Sequence, residues 1–199
     1  MIINKKIQSA RQLLAESQKR IDQATNAKLG IRLNESKDVT QSNASNEYEW
    51  ITHLCNWADE NHIPKYRRNF DTGGWYGLPR DKESLLRISE LNLSNTPITH
   101  LPDELFELKS LETLNLYRCG LTELSEKIEK LQKLAHINLN ENNLSFLPNT
   151  IVNLPSLHTL ILYKNPMQRL PNGLINHPKL ENLKMDGILA TQYRRNYKG

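Results

Sequence analysis

Apolar positions in the second half of this chain recur with a period of 23 residues. Five copies follow L-x-x-L-x-L-x-x-N-x-L-x-x-L-P-x-x-L-x-x-L-x-x, with no residue inserted or deleted between them. Their first positions are Ile88, Leu111, Leu134, Leu157 and Leu180. A half copy beginning at Leu78 precedes them, and the last copy decays after Met185 and Ile188. A strict period of this length predicts one structural unit that is repeated and stacked on its neighbours.

Each copy predicts a strand, a turn and a return segment. In L-x-x-L-x-L the last two leucines alternate with polar residues, which is typical of a short strand with one buried face. The asparagine turns the chain, and its amide satisfies backbone groups inside the stack. Thr96 and Cys119 replace it in the first two copies and are expected to do this only partly. The L-P-x-x-L-x-x-L half returns through a short helical turn, so the parallel strands should line the inside of a curve.

The patterns divide the chain into five regions: 1–33, an amphipathic helix; 34–45, a polar linker; 46–87, a helical cap with an aromatic, glycine-rich loop; 88–188, the repeats; and 189–199, a basic tail. The second helix should be capped by Ser45 or Asn46 and should cover the exposed end of the first repeat. The first helix could pack on this cap, dock to a partner or pair weakly with a second copy of itself. Trp75 and Tyr76, between glycines, either complete the cap or contact a ligand.

Composition narrows the function. The chain has 199 residues, 38% of them hydrophobic, and a net charge of +4. The basic residues gather at the two ends, while the repeats carry slightly more acidic than basic residues, so a nucleic-acid interface is not expected. No run of apolar residues is long enough to span a membrane. Two cysteines, Cys55 and Cys119, without metal-binding spacing favour a reducing compartment.

The strand residues that alternate with the leucines should form the exposed inner face. On it we predict a protein-binding site, because tyrosine and arginine combine contact area with directed hydrogen bonds. Its candidate residues are Tyr117, Arg118, His136, Asn138, Asn140, Ile161, Tyr163 and Lys164. Asn92, Asn115 and Asn138 lie in one row, which is either a self-paired ladder or a set of free donors and acceptors for a partner.

No combination of residues indicates catalysis. The six histidines have no cysteine, serine or carboxylate partner at a spacing that recurs in active sites. His136 and His158 should approach each other on adjacent strands, as a polar contact more readily than as a metal site. Cys119 in the asparagine position should be buried and inert. We therefore expect no enzyme activity, no cofactor and no bound metal.

Residues 78–188 resemble the typical class of leucine-rich repeat, and the L-P-x-x-[IL]-x-x-L half is similar to that of small bacterial members and Ras-group relatives. The stretches Trp57–Glu60 and Leu78–Asp81 resemble the helical lead-in of cytosolic bacterial members. The resemblance implies an α/β fold: a right-handed leucine-rich repeat solenoid, with a short parallel sheet on the concave face and an N-terminal helical cap. It implies a protein-interaction module. The chain departs from the pattern at Cys119, Ser125 and His177.

The leading hypothesis is a cytoplasmic, non-enzymatic module, monomeric or weakly dimeric, that binds a protein partner on the concave strand face. One alternative is a secreted bacterial effector or adaptor acting on host proteins, with residues 1–45 as the export segment. Another is a scaffold that self-associates through the first helix. The sequence does not identify the partner.

Overall fold

The structure, a computed structural model, describes residues 48–68 and 74–187. The predicted first helix, the linker, Ile188 and the basic tail lie outside the described residues. The described helices are α1 (Glu49–Glu60) and α2 (Lys82–Arg87). Seven strands follow the chain order: β1 (Arg67–Arg68), β2 (Trp75–Tyr76), β3 (Glu90–Asn92), β4 (Thr113–Asn115), β5 (His136–Asn138), β6 (Thr159–Ile161) and β7 (Asn182–Lys184). Three 3-10 turns lie between them: η1 (Asp103–Glu107), η2 (Glu126–Lys130) and η3 (Asn149–Asn153).

Strands β3 to β7 form one parallel sheet in chain order, and each residue pairs with the residue 23 positions later. The pairing places Leu91, Leu114, Ile137, Leu160 and Leu183 side by side in one row. The first four side chains of this row are buried, and Leu183 is half-buried. The apolar period thus fixes both the strand register and the position of the core, because a shift by one residue would turn this row toward solvent.

Asn142 shows how the repeated asparagine holds the turns together. Its Oδ1 accepts from the backbone nitrogens of Cys119, Gly120 and Leu121 at 2.9–3.1 Å. Its Nδ2 donates to carbonyl oxygens on both sides of the turn, those of Leu116, Leu139 and Asn140. One buried amide therefore bonds to six backbone groups. The carbonyls of Leu139 and Asn140 also accept from Asn165 Nδ2 and from the Arg118 N–H, whereas the N–H groups of Cys119, Gly120 and Leu121 and the Leu116 carbonyl depend on Asn142.

The residues that replace the repeat pattern find other partners. The Cys119 thiol donates to the carbonyl of Leu93 at 3.2 Å. Ser125, in a proline position, accepts from the backbone N–H of Lys127 at the start of η2. His177, in a leucine position, is buried with its Nε2 2.9 Å from the carbonyl oxygen of Leu154. The departures from the pattern are therefore accommodated by local hydrogen bonds.

A residue with left-handed backbone conformation follows the strand in four successive repeats. Asn95, Arg118, Glu141 and Lys164 have φ between 52° and 60°. Glycine adopts this region freely and asparagine tolerates it. The backbone at Arg118, Glu141 and Lys164 is therefore mildly strained. The turn directs each of them away from the core at the same point of its repeat.

Polar contacts also connect the 3-10 turns on the other side of the repeats. Lys127 bonds to Asp103 at 2.6 Å, and Lys130 bonds to Glu107 at the same distance. The Glu126 carboxylate accepts from the backbone nitrogens at the start of η3, at 3.2 and 3.0 Å. Each bond joins one repeat to the next, as expected where stability comes from stacking.

The segment before the first repeat occupies the free edge of β3. Gly77 donates its backbone N–H to Asn92 at 2.9 Å, and the Tyr66 hydroxyl donates to the carbonyl of Glu90. Leu54, Trp57 and Ala58 of α1 are buried in the same core as the repeats. The expected cap of α1 by Ser45 or Asn46 is wrong, because the helix begins at Glu49 and is preceded by Tyr48, which gives no side-chain capping bond.

Trp75 and Tyr76 lie in a short antiparallel pair with β1. The Tyr76 hydroxyl is 2.9 Å from Thr96 Oγ1, so this side chain reaches the polar position of the first turn. Trp75 stacks on Tyr66 with ring centres 4.9 Å apart. Tyr76 therefore belongs to the packing against the first repeat, whereas Trp75 packs on one face and stays 46% exposed.

Candidate protein-binding face

The strand face is the side of the β3–β7 sheet that alternates with the buried leucine row, together with the left-handed turn after each strand. Side chains of this face are half-buried or exposed in the described residues. It is composed of Glu90, Thr113, His136, Thr159 and Asn182; Asn92, Asn115, Asn138, Ile161 and Lys184; Ser94, Tyr117, Asn140, Tyr163 and Asp186; and the turn residues Asn95, Arg118, Glu141 and Lys164. All eight predicted site residues lie on it.

Asn92, Asn115 and Asn138 stand side by side on β3, β4 and β5. In each, Oδ1 accepts from the backbone N–H two residues later, at 3.0–3.1 Å. Among the described residues, their Nδ2 groups donate to no acceptor and to none of the other asparagines. The row is therefore not a self-paired ladder. It is a row of fixed amides with open donors, because the local bond holds the oxygen and leaves the NH₂ group toward solvent.

Glu141 is the centre of a charged cluster at the turn end of the face. Its carboxylate accepts a 2.6 Å bond from Lys164 Nζ, and the Tyr117 hydroxyl and the Arg118 guanidinium are close enough to lower its pKa further. The bond from Lys164 is the main cause of a lowered Glu141 pKa, and the same bond raises the pKa of Lys164. Three predicted site residues thus meet on one carboxylate.

Glu141 is not among the site residues predicted from the sequence. Its spacing of 23 residues from Arg118 and Lys164 was the available signal. Acidic and basic residues at equivalent positions of adjacent repeats face each other, as opposite charges do across neighbouring strands. The ion pair of Lys164 and Glu141 lies at the surface, with the lysine exposed and the glutamate half-buried, so it fixes geometry more than it stabilises the fold.

Tyr163 and Ile161 provide the apolar part of the face. The Tyr163 side chain is 40% exposed, and its backbone N–H donates to Asn140 Oδ1 at 2.8 Å. Ile161 takes the place that asparagine holds on the three preceding strands. The face therefore changes from amides on β3–β5 to an aliphatic and an aromatic side chain at β6.

His136 belongs to a different group, at the start of the strands. Its ring meets that of His158 edge to face with centres 5.8 Å apart, as predicted. His158 Nε2 lies 3.3 Å from Glu181 Oε2. Within the described part of the chain, no three histidine, cysteine or acidic side chains are placed to hold a metal ion. The two groups share no hydrogen bond there, so His136 does not join the Glu141 cluster.

Cys119 lies beneath the face and not on it. Burial raises the pKa of its thiol to about 11, with a smaller opposing effect from the backbone N–H of Thr96. A neutral, enclosed thiol is a poor nucleophile. In residues 48–68 and 74–187, moreover, no helix is long and apolar enough to cross a membrane.

Comparison with known proteins agrees with this architecture. The family model for a leucine-rich repeat region matches residues 80–186, more than half of the chain. The chain belongs to the leucine-rich repeat family, whose members generally serve as protein-interaction modules. The earlier resemblance is thereby confirmed.

Among solved structures, the chain is similar to a leucine-rich repeat protein of Leptospira interrogans, with 24% identity and a TM-score of 0.43. The alignment covers 62% of this chain and 35% of the Leptospira protein, so this chain spans about a third of that protein's length. No curated protein sequence matches significantly.

Proposed function

We propose that this chain is a non-enzymatic interaction module that binds a protein partner on the strand face. The observation that carries the proposal is the row of open Nδ2 donors on Asn92, Asn115 and Asn138. These amides are held rigid by their own backbone bonds, so a partner can accept from them without ordering flexible side chains.

The neighbouring residues supply the remaining features of a protein interface. Tyr163 and Ile161 offer apolar contact area, and Tyr117 lies near Glu141 at the margin. Arg118 and Lys164 stand in rigid turns and are exposed. Aromatic and arginine side chains beside ordered polar groups are typical of residues that dominate binding energy.

The test is affinity capture from a lysate of the native organism by the tagged full chain. Asn115→Asp and Asn138→Asp keep an oxygen that accepts the backbone bond, replace each NH₂ donor with a second acceptor oxygen and add a negative charge at each position. We expect this double variant and Tyr163→Ala each to reduce partner recovery roughly ten-fold, with little change in melting temperature.

Lys133→Ala is the matched control, because Lys133 is exposed and lies away from the strand face. It should capture the partner as the wild type does. Equal recovery by all of these variants would show that the strand face is not the binding surface.

We propose that this module acts in a reducing cell interior, because its two cysteines form no disulfide. Cys55 and Cys119 are both free thiols. Cell fractionation with an antibody to the chain tests this, and recovery from the extracellular medium alone would contradict it.

A further inference from the structure

A second surface lies outside the strand face, where the third and fourth repeats meet between the asparagine turn and the 3-10 turn. It is a cleft of about 350 Å³. Its walls are Phe146, Leu147, Asn149, Arg169, Leu170, Pro171 and Asn172. Phe146 and Arg169 occupy equivalent positions 23 residues apart, so the repeat geometry brings them together.

Phe146 is an unusual residue for this position. The preceding repeats carry the polar residues His100 and Glu123 there, whereas the Phe146 side chain is 47% exposed. The Arg169 guanidinium lies over its ring, 5.5 Å from the ring centre. Stacking of this kind covers the flat face of the guanidinium and leaves its edge N–H groups open to an acceptor.

The charge of Arg169 is not neutralised by the described residues. Five other basic side chains of the described residues have a carboxylate partner: Arg80, Lys109, Lys127, Lys130 and Lys164. Arg169 has none among residues 48–68 and 74–187. No acidic side chain lines the cleft either.

One column of the 3-10 turns accounts for the lack of an acidic side chain at the cleft. The residue after the proline position is Asp103 in the first repeat and Glu126 in the second, and both carboxylates bond to the following repeat. In the third and fourth repeats the same position holds Asn149 and Asn172, which line the cleft. The acidic residues of this column therefore end where the cleft begins. Arg169, which lines the cleft, has no acidic neighbour there.

We propose that this cleft binds a short partner segment in which an apolar side chain stands next to a carboxylate. The apolar side chain packs on Phe146, Leu147 and Leu170, and the carboxylate accepts two parallel N–H bonds from Arg169. The amides of Asn149 and Asn172 lie at the rim. This surface is separate from the strand face and does not depend on the function proposed for it.

The probe is a set of three capped peptides, acetyl-Gly-Leu-Glu-Gly-amide and its Gln and Lys analogues, added to the ¹⁵N-labelled full chain. Backbone amide shifts should change in residues 146–149 and 169–172. The Glu peptide should bind roughly ten-fold more tightly than the Gln peptide, and the Lys peptide should bind least, because a charge-assisted bond is much stronger than a neutral one.

Two variants separate the two halves of the proposal. Arg169→Gln should abolish the difference between the Glu and Gln peptides, whereas Phe146→Ala should weaken both alike. Arg118→Gln, on the strand face, is the matched control and should leave the binding of all three peptides unchanged. The amide spectrum of each variant reports whether it is folded.

Three results would overturn the proposal: no shift changes at the cleft, equal affinity for the Glu and Gln peptides, or an unchanged preference in folded Arg169→Gln. Shift changes confined to the strand face would also overturn it, while leaving the function of that face intact.

Discussion

The side-chain oxygen of Asn142 lies 3.1 Å from the backbone nitrogen of Cys119, which holds the same position one repeat earlier. Each asparagine thus supports the turn of the preceding repeat as well as its own. Cys119 has fewer backbone N–H groups to satisfy in the turn of the first repeat. Pro97 in that turn has no N–H, and the N–H of Ile98 already bonds to the Cys119 carbonyl. A thiol that contacts Leu93 and Thr96 is sufficient there.

Asn142→Ala should destabilise the fold by about 3 kcal/mol or more, because three backbone N–H groups and the Leu116 carbonyl lose their partner. Urea unfolding followed by circular dichroism measures this. Asn143→Ala is the control, since Asn143 is exposed and makes one long contact, 3.5 Å, to Gly120. Similar losses in the two variants would contradict the role of Asn142.

Gly77→Ala should be far more damaging than Gly120→Ala. Both glycines have positive φ, 92° and 85°, so both changes introduce backbone strain of about 1 kcal/mol. At Gly77 the new Cβ would also lie 2.3 Å from the carbonyl oxygen of Pro64, whereas at Gly120 nothing lies within 4 Å. A calorimetric melt in which the two variants lose equal stability would rule out this close approach as the reason for Gly77.

Cys119 should resist alkylation in the native chain. Burial raises the pKa of its thiol from the ordinary 9.0 to about 11. The measurement uses a Cys55→Ala background, in which Cys119 is the remaining thiol. At pH 8 the thiolate fraction is then roughly 100-fold lower than in the unfolded chain, and iodoacetamide should react at least that much more slowly. Equal rates in buffer and in urea would refute it.

The same raised pKa predicts a pH dependence of stability. The neutral thiol is favoured in the fold, so this contribution is complete below pH 9 and is lost as the pH rises toward 11. The loss should be about 2–3 kcal/mol relative to a Cys119→Ala variant, measured by urea unfolding at pH 8, 9.5 and 11. Parallel curves for the two proteins would show that the thiol is not the titrating group.

Lys164→Gln should raise the pKa of Glu141 toward its ordinary value of 4.5, since the bond from Lys164 is the first cause of its lowering. In the wild type, this carboxylate stabilises the fold above its unfolded pKa, and that contribution disappears as the pH falls through the lowered folded value. A ¹³C NMR titration of the glutamate carboxyls measures the shift. Lys184→Gln, on the same face but outside the cluster, should leave Glu141 unchanged.

The sequence period determined the strand register because a 23-residue repeat leaves only one alignment that buries Leu91, Leu114, Ile137 and Leu160 together. Burial is a strong and periodic requirement, so the core could be predicted. The position of each predicted site residue on the strand face follows from the same alternation.

The contacts within that face could not be predicted in the same way. Whether Asn138 pairs with a neighbouring asparagine or with its own backbone depends on a side-chain rotation that the pattern does not encode. The approach of Lys164 to Glu141 depends on a left-handed turn at non-glycine residues. The start of α1 at Glu49 has no capping bond from the preceding Tyr48, so the pattern of capping residues does not predict it.

The left-handed turn bears on how the surface chemistry of such a protein can change. Four chemically different side chains, Asn95, Arg118, Glu141 and Lys164, adopt nearly the same backbone angle without a change in the strands on either side. A point substitution at this turn would therefore change the charge or size of a side chain at the edge of the strand face while the leucine rows keep their places. The chemistry of this edge could thus change one residue at a time without a change in the fold.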